Sequence, residues 1–537
     1  MAKVESLLVD VAIVGAGLCG LALARSLHAQ GLTLALIEAR ERLGGRALTR
    51  HCEATGQALD LGPTWFWPDT EPRIAALLEE LGLSCVAQHD PGDALWLTDP
   101  NREPERREAP EGVHAGAFRI AGGAARLAGA LAASLPAESI QTGAALRLLR
   151  DRGAYLELQI ETGGRSRLLR ARHVVLALPP RLVHERVVFD PPLSMALTEA
   201  LDATPTWMAA QAKVVTSFAR PFWRAAGQSG NAFVRHPQAM LAEVFDASDD
   251  ATSAGALGGF IALNAAQRAE FRRGMPLLIE SQLAQLYGAQ AQQGGRQYVA
   301  DWATEAWTCS SADRDGPAEY PQAGALLRQA HWGGRLYFGG SESAAHGAGH
   351  MEGALEAAAR IGRSLAPACA ASGTPAKPAD ALAQFAAIVS ACRAQAPARY
   401  RQHLTRQLST QQTEQLTQRA LLATVEQVYS EALETLDGLL PDLGADLLSP
   451  VRAGRHALTP GLLAAFEGWN GQLLAAALSF NGSSCALSNF PEEHRPDAAL
   501  QRAITLDLAA AWREFALDVN ARLLAASARA GRSAVTA

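Results

Sequence analysis

DVAIVGAGLCGLALARSLHAQGLTLALIEAR, Asp10 to Arg40, is the stretch whose reading decides the fold. Val11 to Val14 is a continuous apolar run suited to a strand buried on both faces. Gly15-x-Gly17-x-x-Gly20 then opens a helix predicted through Leu27, and LTLALIE, Leu32 to Glu38, predicts a second buried strand. Strand, helix and strand make a βαβ unit. Its glycines allow a tight turn and let backbone amides approach a pyrophosphate at the helix N-terminus. Glu38 ends the second strand, where a carboxylate accepts hydrogen bonds from a ribose diol and disfavours a 2′-phosphate. Glycine spacing alone fits any tight strand-to-helix turn; the four features in series point to a dinucleotide.

Outward from that unit, 537 residues that are 48% hydrophobic and 19% charged are ample for a large core and more than one domain. The net charge of −6 and the lack of a basic run with interleaved aromatics exclude nucleic acid as an expected partner. The cysteines are 7 in number, scattered and without a CxxC pair, which predicts neither a disulfide framework nor a zinc site and fits a cytoplasmic protein. The early apolar segment is broken by Asp10 and by turn glycines and lacks a basic leader, so it reads as neither signal peptide nor membrane span, and no membrane association is expected.

From Glu38 the chain continues as EARERLGGRALT (Glu38–Thr49) with Gly44-Gly45-Arg46, and from here it resembles the flavin-dependent amine oxidase family, the monoamine and polyamine oxidases. LDLGPTWFWP (Leu59–Pro68), IAGGAARLAGALA (Ile120–Ala132), ARHVVLALPP (Ala171–Pro180), AKVVTSFARPFWR (Ala212–Arg224) and RLYFGGSESAAHGAGHMEGALEAAAR (Arg335–Arg360) are similar to the family's blocks, in family order. The resemblance implies an α/β fold with a discontinuous Rossmann-like FAD-binding domain, an α+β substrate domain and, beyond them, an all-α C-terminal extension. The expected FAD-binding parts are 1–85, 118–190 and 296–366, the substrate parts 86–117 and 191–295. APACAASGTPAKPAD (Ala366–Asp380) reads as a linker at 367–380, and 381–537 as a helical domain of unassigned role.

By the same resemblance the cofactor is FAD, expected to be held by Gly15, Gly17, Gly20, Glu38, Arg40, Gly44, Gly45, Arg46, Gly62, Pro63, Thr64, Gly340, Ser341, Glu342 and Met351. LYF (Leu336–Phe338) reads as a strand, Gly339 and Gly340 as a close-approach turn, and Met351 to Leu365 as a helix with Glu352 in its first turn. That helix would face the flavin. Lys213, on a predicted strand just before Phe222-Trp223-Arg224, matches the family's lysine at flavin N5. The implied activity is oxidation of a small-molecule amine by hydride transfer to N5, with O₂ reduced to peroxide. Trp65, Phe66, Trp67, Trp207 and Met208 are candidate lining residues, Trp65 and Trp207 foremost.

The chain also departs from the family. GHMEG places His350 where many members carry a tyrosine, so His350 is a candidate as substrate-binding wall, proton acceptor or acid-binding group. In DWATEAWTCSSADRDGP (Asp301–Pro317) the positions facing the usual second ring are Ser311, Ala312 and Asp313, and no aromatic pair is expected. Cys309 is displaced from the flavin-linking cysteine of covalent members, so non-covalent FAD is expected, and no metal. An L-amino-acid oxidase is the alternative activity, without a nameable Arg for the carboxylate. A flavin-bearing interaction protein with a decayed pocket is the alternative class. In the extension, Leu416, Ala420, Val428, Ala432 and Leu436 share one face of a helix ending near Gly438 and Pro441. Leu500, Ile504, Leu508, Ala511, Phe515 and Val519 form another stripe, which a packed domain, a lid, a protein partner or a second copy would cover.

Overall fold

A computed structural model describes residues 8–536 apart from 111, 250, 317–318, 323, 370–377, 410–414, 441–442, 444–453, 484–486 and 488–489. The opening unit is strand β1 (Leu8–Val14), helix α1 (Leu18–Ala29) and strand β2 (Leu34–Ile37), the two strands parallel with Val11 opposite Leu34 and Val14 opposite Ile37. Strand β1 begins three residues before the expected apolar run because its first residues pair with a neighbour, a contact no local pattern reveals. Leu21, Leu23 and Leu27 of α1 are fully buried.

Helix α2 (Pro72–Glu80) follows, then the two-residue strand β3 (Ile140–Gln141) beside β2, and β4 (Arg165–Leu176) parallel to β1 on its other side. The first half of β4 also pairs antiparallel with Leu156–Thr162, so one long strand joins the parallel nucleotide-type sheet to an antiparallel meander. Val9, Ala12 and Val14 of β1, Val174 and Leu176 of β4 and the meander's Leu149, Leu156, Leu158 and Ile160 share one apolar core.

The chain then enters a separate seven-stranded sheet. Its strand β5 (Ala212–Phe218) lies between Gly255–Ile261 and Arg296–Asp301, antiparallel to both. Ala212, Val214 and Phe218 face one core, while Val215 packs in another, as the two-residue period of a strand requires. Lys213 shares the Val215 face. The strand expected here is realised, and all seven of its residues are buried, because a core covers each face of the sheet and a strand flanks β5 on either side.

From there the chain returns to the first sheet as β6 (Leu336–Phe338), parallel to β4, and runs into helix α3 (Met351–Cys369). The return expected from LYF and the helix after it is therefore realised, with α3 extending past Leu365 into the expected linker. Residues 370–377 of that linker lie outside the described residues, and Pro378 already opens the next helix.

By its contacts the chain divides into two compact units, Met1–Gly362 and Arg363–Ala537. The elements described in the second are helices: α4 (Pro378–Ser409), α5 (Leu416–Leu439), α6 (Thr459–Ala464), α7 (Trp469–Ser483), α8 (Pro491–His494) and α9 (Ala498–Thr536). Leu416, Ala420, Val428, Ala432 and Leu436 of α5 meet Ile504, Leu508, Phe515 and Val519 of α9 in one core, centred on Tyr429 stacked against Phe515 at 4.4 Å. The two stripes read from sequence cover each other. Among the described residues no helix is long and apolar enough to cross a membrane, and no group of His, Cys, Asp and Glu could hold a metal ion.

Candidate active site

Both glycine-rich turns open on one cavity of about 410 Å³ in the first unit. At the first turn Gly15 has φ +102°, a value L side chains rarely adopt, and a Cβ at Gly20 would overlap the Gly15 carbonyl oxygen. Gly17 differs: no protein atom lies within 4 Å of where its Cβ would stand, and it lines the cavity. No side chain caps α1 at Gly17, so its first-turn N–H groups remain free donors. An uncapped helix start beside a glycine that leaves open space is a cradle of the size and polarity a pyrophosphate requires.

Glu38 is buried across this turn, its Oε2 accepting from the Ala16 amide at 2.9 Å and its Oε1 from the Arg40 amide at 3.0 Å. The Arg40 guanidinium pairs with Glu305 at 2.9 Å and donates to Thr308 Oγ1 at 2.6 Å. Gly44 donates to the Ala16 carbonyl, and a Cβ on Gly45 would stand 3.2 Å from the Gly17 Cα, so the two loops meet backbone to backbone.

The second turn is locked to the first. Gly340, at φ +94°, donates its amide to Cys19 Sγ of α1 at 3.2 Å. Glu342, fully buried, pairs with Arg46 at 2.7 Å, and Arg46 also donates to Ser341 Oγ at 2.8 Å and the Trp207 carbonyl at 3.0 Å. Burial pushes the Cys19 thiol up to about 11, so it stands as a neutral thiol at the cavity wall. Glu352 does not face the cavity. Its carboxylate accepts from the Arg73 and Ile74 amides at 3.2 and 3.0 Å and caps α2, because its place in the first turn of α3 turns it toward that helix.

Lys213 reaches the cavity floor, where Nζ donates to the Gly62 carbonyl at 2.9 Å and to Thr64 Oγ1. Burial lowers its pKa to about 7, against the attraction of the Asp60 carboxylate. The ammonium end lies 5.2 and 5.9 Å from the Phe245 and Phe260 ring centres. Gly62, Pro63 and Thr64 line the cavity beside it.

Trp65, Trp67, Trp207, Met208 and Met351 line the cavity as expected, with Trp65 stacked on His114 at 4.3 Å. Phe66 does not: strand-like alternation turns it into the core against Phe118. His350 lines the cavity, and its Nδ1 lies 2.9 Å from Oε1 of buried Glu71. Tyr320, exposed and not among the residues that line the cavity, packs behind this wall, 4.9 Å from Trp207 and 6.0 Å from His350 and edge-on to both. Ser311 and Asp313 instead serve structure, Ser311 bonding Glu185 and buried Asp313 pairing with Arg181 at 2.7 Å. Cys309 is buried and does not line the cavity.

Sequence reasoning missed Glu71, Glu305, Thr308 and Tyr320. None carried a distinguishing local signal, since an acidic residue ahead of a helix-starting proline, as at Glu71, is common. The partner of Glu71 lies 279 positions away.

Residues 105–363 match the family model described as flavin containing amine oxidoreductase, and 13–81 match that of an NAD(P)-binding Rossmann-like domain. The chain is 26% identical over 459 residues to the putrescine oxidase of Kocuria rosea, covering 64% of this chain and 92% of that one. It is 25% identical to flavin-containing amine oxidase B of Sus scrofa, with 66% and 86% covered. A solved putrescine oxidase with putrescine bound shares the fold, with a TM-score of 0.57 at 23% identity over 67% of this chain and 99% of that one.

Proposed function

Because this chain belongs to the flavin-containing amine oxidoreductases, a family of FAD-dependent enzymes, we propose that it oxidises a small amine at the carbon bonded to nitrogen, with O₂ as acceptor and FAD held without a covalent bond. The observation that carries the reading is convergence: the two glycine turns, Glu38, Lys213 and His350 come from distant parts of the chain and line one cavity. FAD, when bound, supplies the acceptor for the α-hydrogen and its two electrons, taken together as hydride at N5 and passed to oxygen, which leaves as hydrogen peroxide.

The chain's own part is to hold and select. Free N–H groups at the start of α1 receive the pyrophosphate, and Glu38 accepts from the ribose diol. Arg46, through Glu342 and Ser341, fixes the second turn against the first. The apolar wall of Trp65, Trp67, Trp207, Met208 and Met351 makes a buried ammonium costly and favours the neutral amine. Loss of hydride from that amine leaves an iminium, which water hydrolyses to a carbonyl compound and ammonia or a smaller amine. Lys213, whose pKa burial brings to about 7, is divided between ammonium and amine near pH 7, and in the amine form its two donors go to Gly62 and Thr64 and its lone pair is available for a water or the cofactor edge.

Of the cysteines, Cys19 reaches the cavity, and as a neutral thiol that accepts the Gly340 amide it is no nucleophile. Of the arginines of the cavity wall, Arg40 is committed to Glu305 and Arg46 to Glu342, while Arg186 lies over the Trp307 face and 3.4 Å from Glu185 with its buried Nε unpartnered. Simple amines are the first substrates to test, and Arg186 is the guanidinium that an α-amino acid's carboxylate would have to use. The free thiols Cys19, Cys52, Cys85, Cys309 and Cys392 fit a cytoplasmic setting.

The test is anaerobic mixing of the yellow holoenzyme with a panel of monoamines, polyamines and amino acids, followed by oxygen. Bleaching of the flavin by amines, peroxide on reoxidation and release of the flavin by acid precipitation are expected. A flavin that no amine reduces would overturn the activity, and colour retained in the acid pellet would overturn the non-covalent assignment.

A further inference from the structure

Glu71 and His350 form a dyad with one partner buried and the other at the cavity. Glu71 immediately precedes α2, and its side chain is 8% exposed against 29% for His350. A carboxylate at that position ordinarily caps its own helix. Here Glu352 caps the Arg73 and Ile74 amides instead, which leaves Glu71 Oε2 on the Trp67 amide at 2.9 Å and Oε1 on His350 Nδ1. With a carboxylate accepting at Nδ1, the neutral ring carries its proton there and keeps its lone pair at Nε2. Nε2 makes no protein hydrogen bond among the described residues, and the ring lines the cavity. The edge-on Tyr320 ring and the backbone of Gly349, packed against Trp207, hold its plane.

We propose that His350 removes the proton of the incoming substrate ammonium, and that Glu71 is the positioning residue that sets its tautomer and stabilises the imidazolium. The inference rests on the amine-oxidising reading. The step balances: R–CH₂–NH₃⁺ and neutral His350 give R–CH₂–NH₂ and His350 protonated at Nε2, and the partly exposed ring returns that proton to solvent. It resolves a conflict in the site, since an amine arrives from water charged, while only the neutral form can lose hydride. The titratable and charged groups on the surrounding elements are Glu71, Tyr320, the Arg73–Glu352 pair and the Arg46–Glu342 pair.

The experiment uses holoenzyme and the variants Glu71→Gln and His350→Asn, with retained FAD absorbance and melting temperature as controls on folding. For a primary alkylamine, kcat/KM of Glu71→Gln should fall by about 10-fold or more near pH 7, a general-base contribution. The deficit should close as pH approaches the amine's own pKa, where solution supplies the neutral form. A deficit constant across pH, or none, overturns the proposal.

The second readout needs no turnover. tert-Butylamine has no α-hydrogen, and its binding is read from the perturbed flavin spectrum. Near pH 7, where the amine arrives charged, wild-type affinity should exceed that of both Glu71→Gln and His350→Asn. The gap should narrow as pH approaches the amine's own pKa, where solution supplies the neutral form. Equal affinity in all three proteins at every pH overturns the dyad. Failure of the amine oxidase reading looks different: wild-type flavin then stays oxidised with every amine at every pH, whatever the tert-butylamine titration gives.

Discussion

Lys213 sits where a lysine pays most to be charged, on a strand buried on both faces and between two phenylalanine rings. Unfolded, it keeps its proton up to its ordinary 10.5; folded, burial brings that down to about 7. Between those values the unfolded chain binds one more proton than the folded one, so this residue makes stability rise with pH across the window. Lys213→Met carries no such proton. In flavin-stripped protein its stability relative to wild type should be greatest below about pH 7 and should shrink toward pH 10, read from urea midpoints at each pH. A difference independent of pH would show that Lys213 does not titrate in the fold. In the holoenzyme the same variant should keep its FAD and slow flavin reduction or reoxidation in stopped flow; wild-type rates in both half-reactions would make Lys213 a packing residue. Lys213 was legible because its flanking block carried it, whereas Glu71 was not. A carboxylate before a proline is ordinary in any sequence, and only the fold brings it to a histidine 279 positions on.

The two strand-to-helix turns show what an element-level pattern conveys and where it stops. Gly15, Gly17 and Gly20 look equivalent in a spacing rule, but the structure gives them different work. At Gly20 a Cβ would overlap the Gly15 carbonyl, so Gly20→Ala should destabilise the protein by about 1–3 kcal/mol, as overpacking does. Gly17 has φ −74° and ψ −176°, which alanine adopts freely, and open space at its Cβ. Gly17→Ala should therefore leave flavin-free stability within about 0.5 kcal/mol of wild type and weaken FAD binding. Thermal melts without FAD and fluorescence titration with it separate the two effects, and a Gly17→Ala protein that binds FAD as wild type does would remove Gly17 from the cradle. The strand, turn and helix pattern was readable because buried parallel strands and glycine turns write themselves locally. The ends of elements were not: β1 starts early through pairing with β4, and Glu352, read only as an acid in the first turn of its own helix, also caps α2.

On the scale of the whole molecule, two compact units divide the labour. The first unit holds every residue of the cavity, while Tyr400, Tyr429, Phe466, Trp469 and Phe515 centre a core wholly inside the second. Sequence periodicity found the stripes on α5 and α9, though nothing local in either stripe said that each is the other's cover. A ligand stabilises only what binds it, so FAD added at about a hundred times its Kd should contribute about 2.7 kcal/mol to the unit that carries both glycine turns and nothing directly to the helical one. Calorimetry of flavin-free protein with increasing FAD should accordingly show one transition climbing with ligand and another staying in place. Gly17→Ala should blunt the climb without moving the stationary transition, which ties the mobile peak to the cradle. If a single transition shifts as a whole, the two units unfold as one cooperative body and the division by contacts carries no thermodynamic boundary.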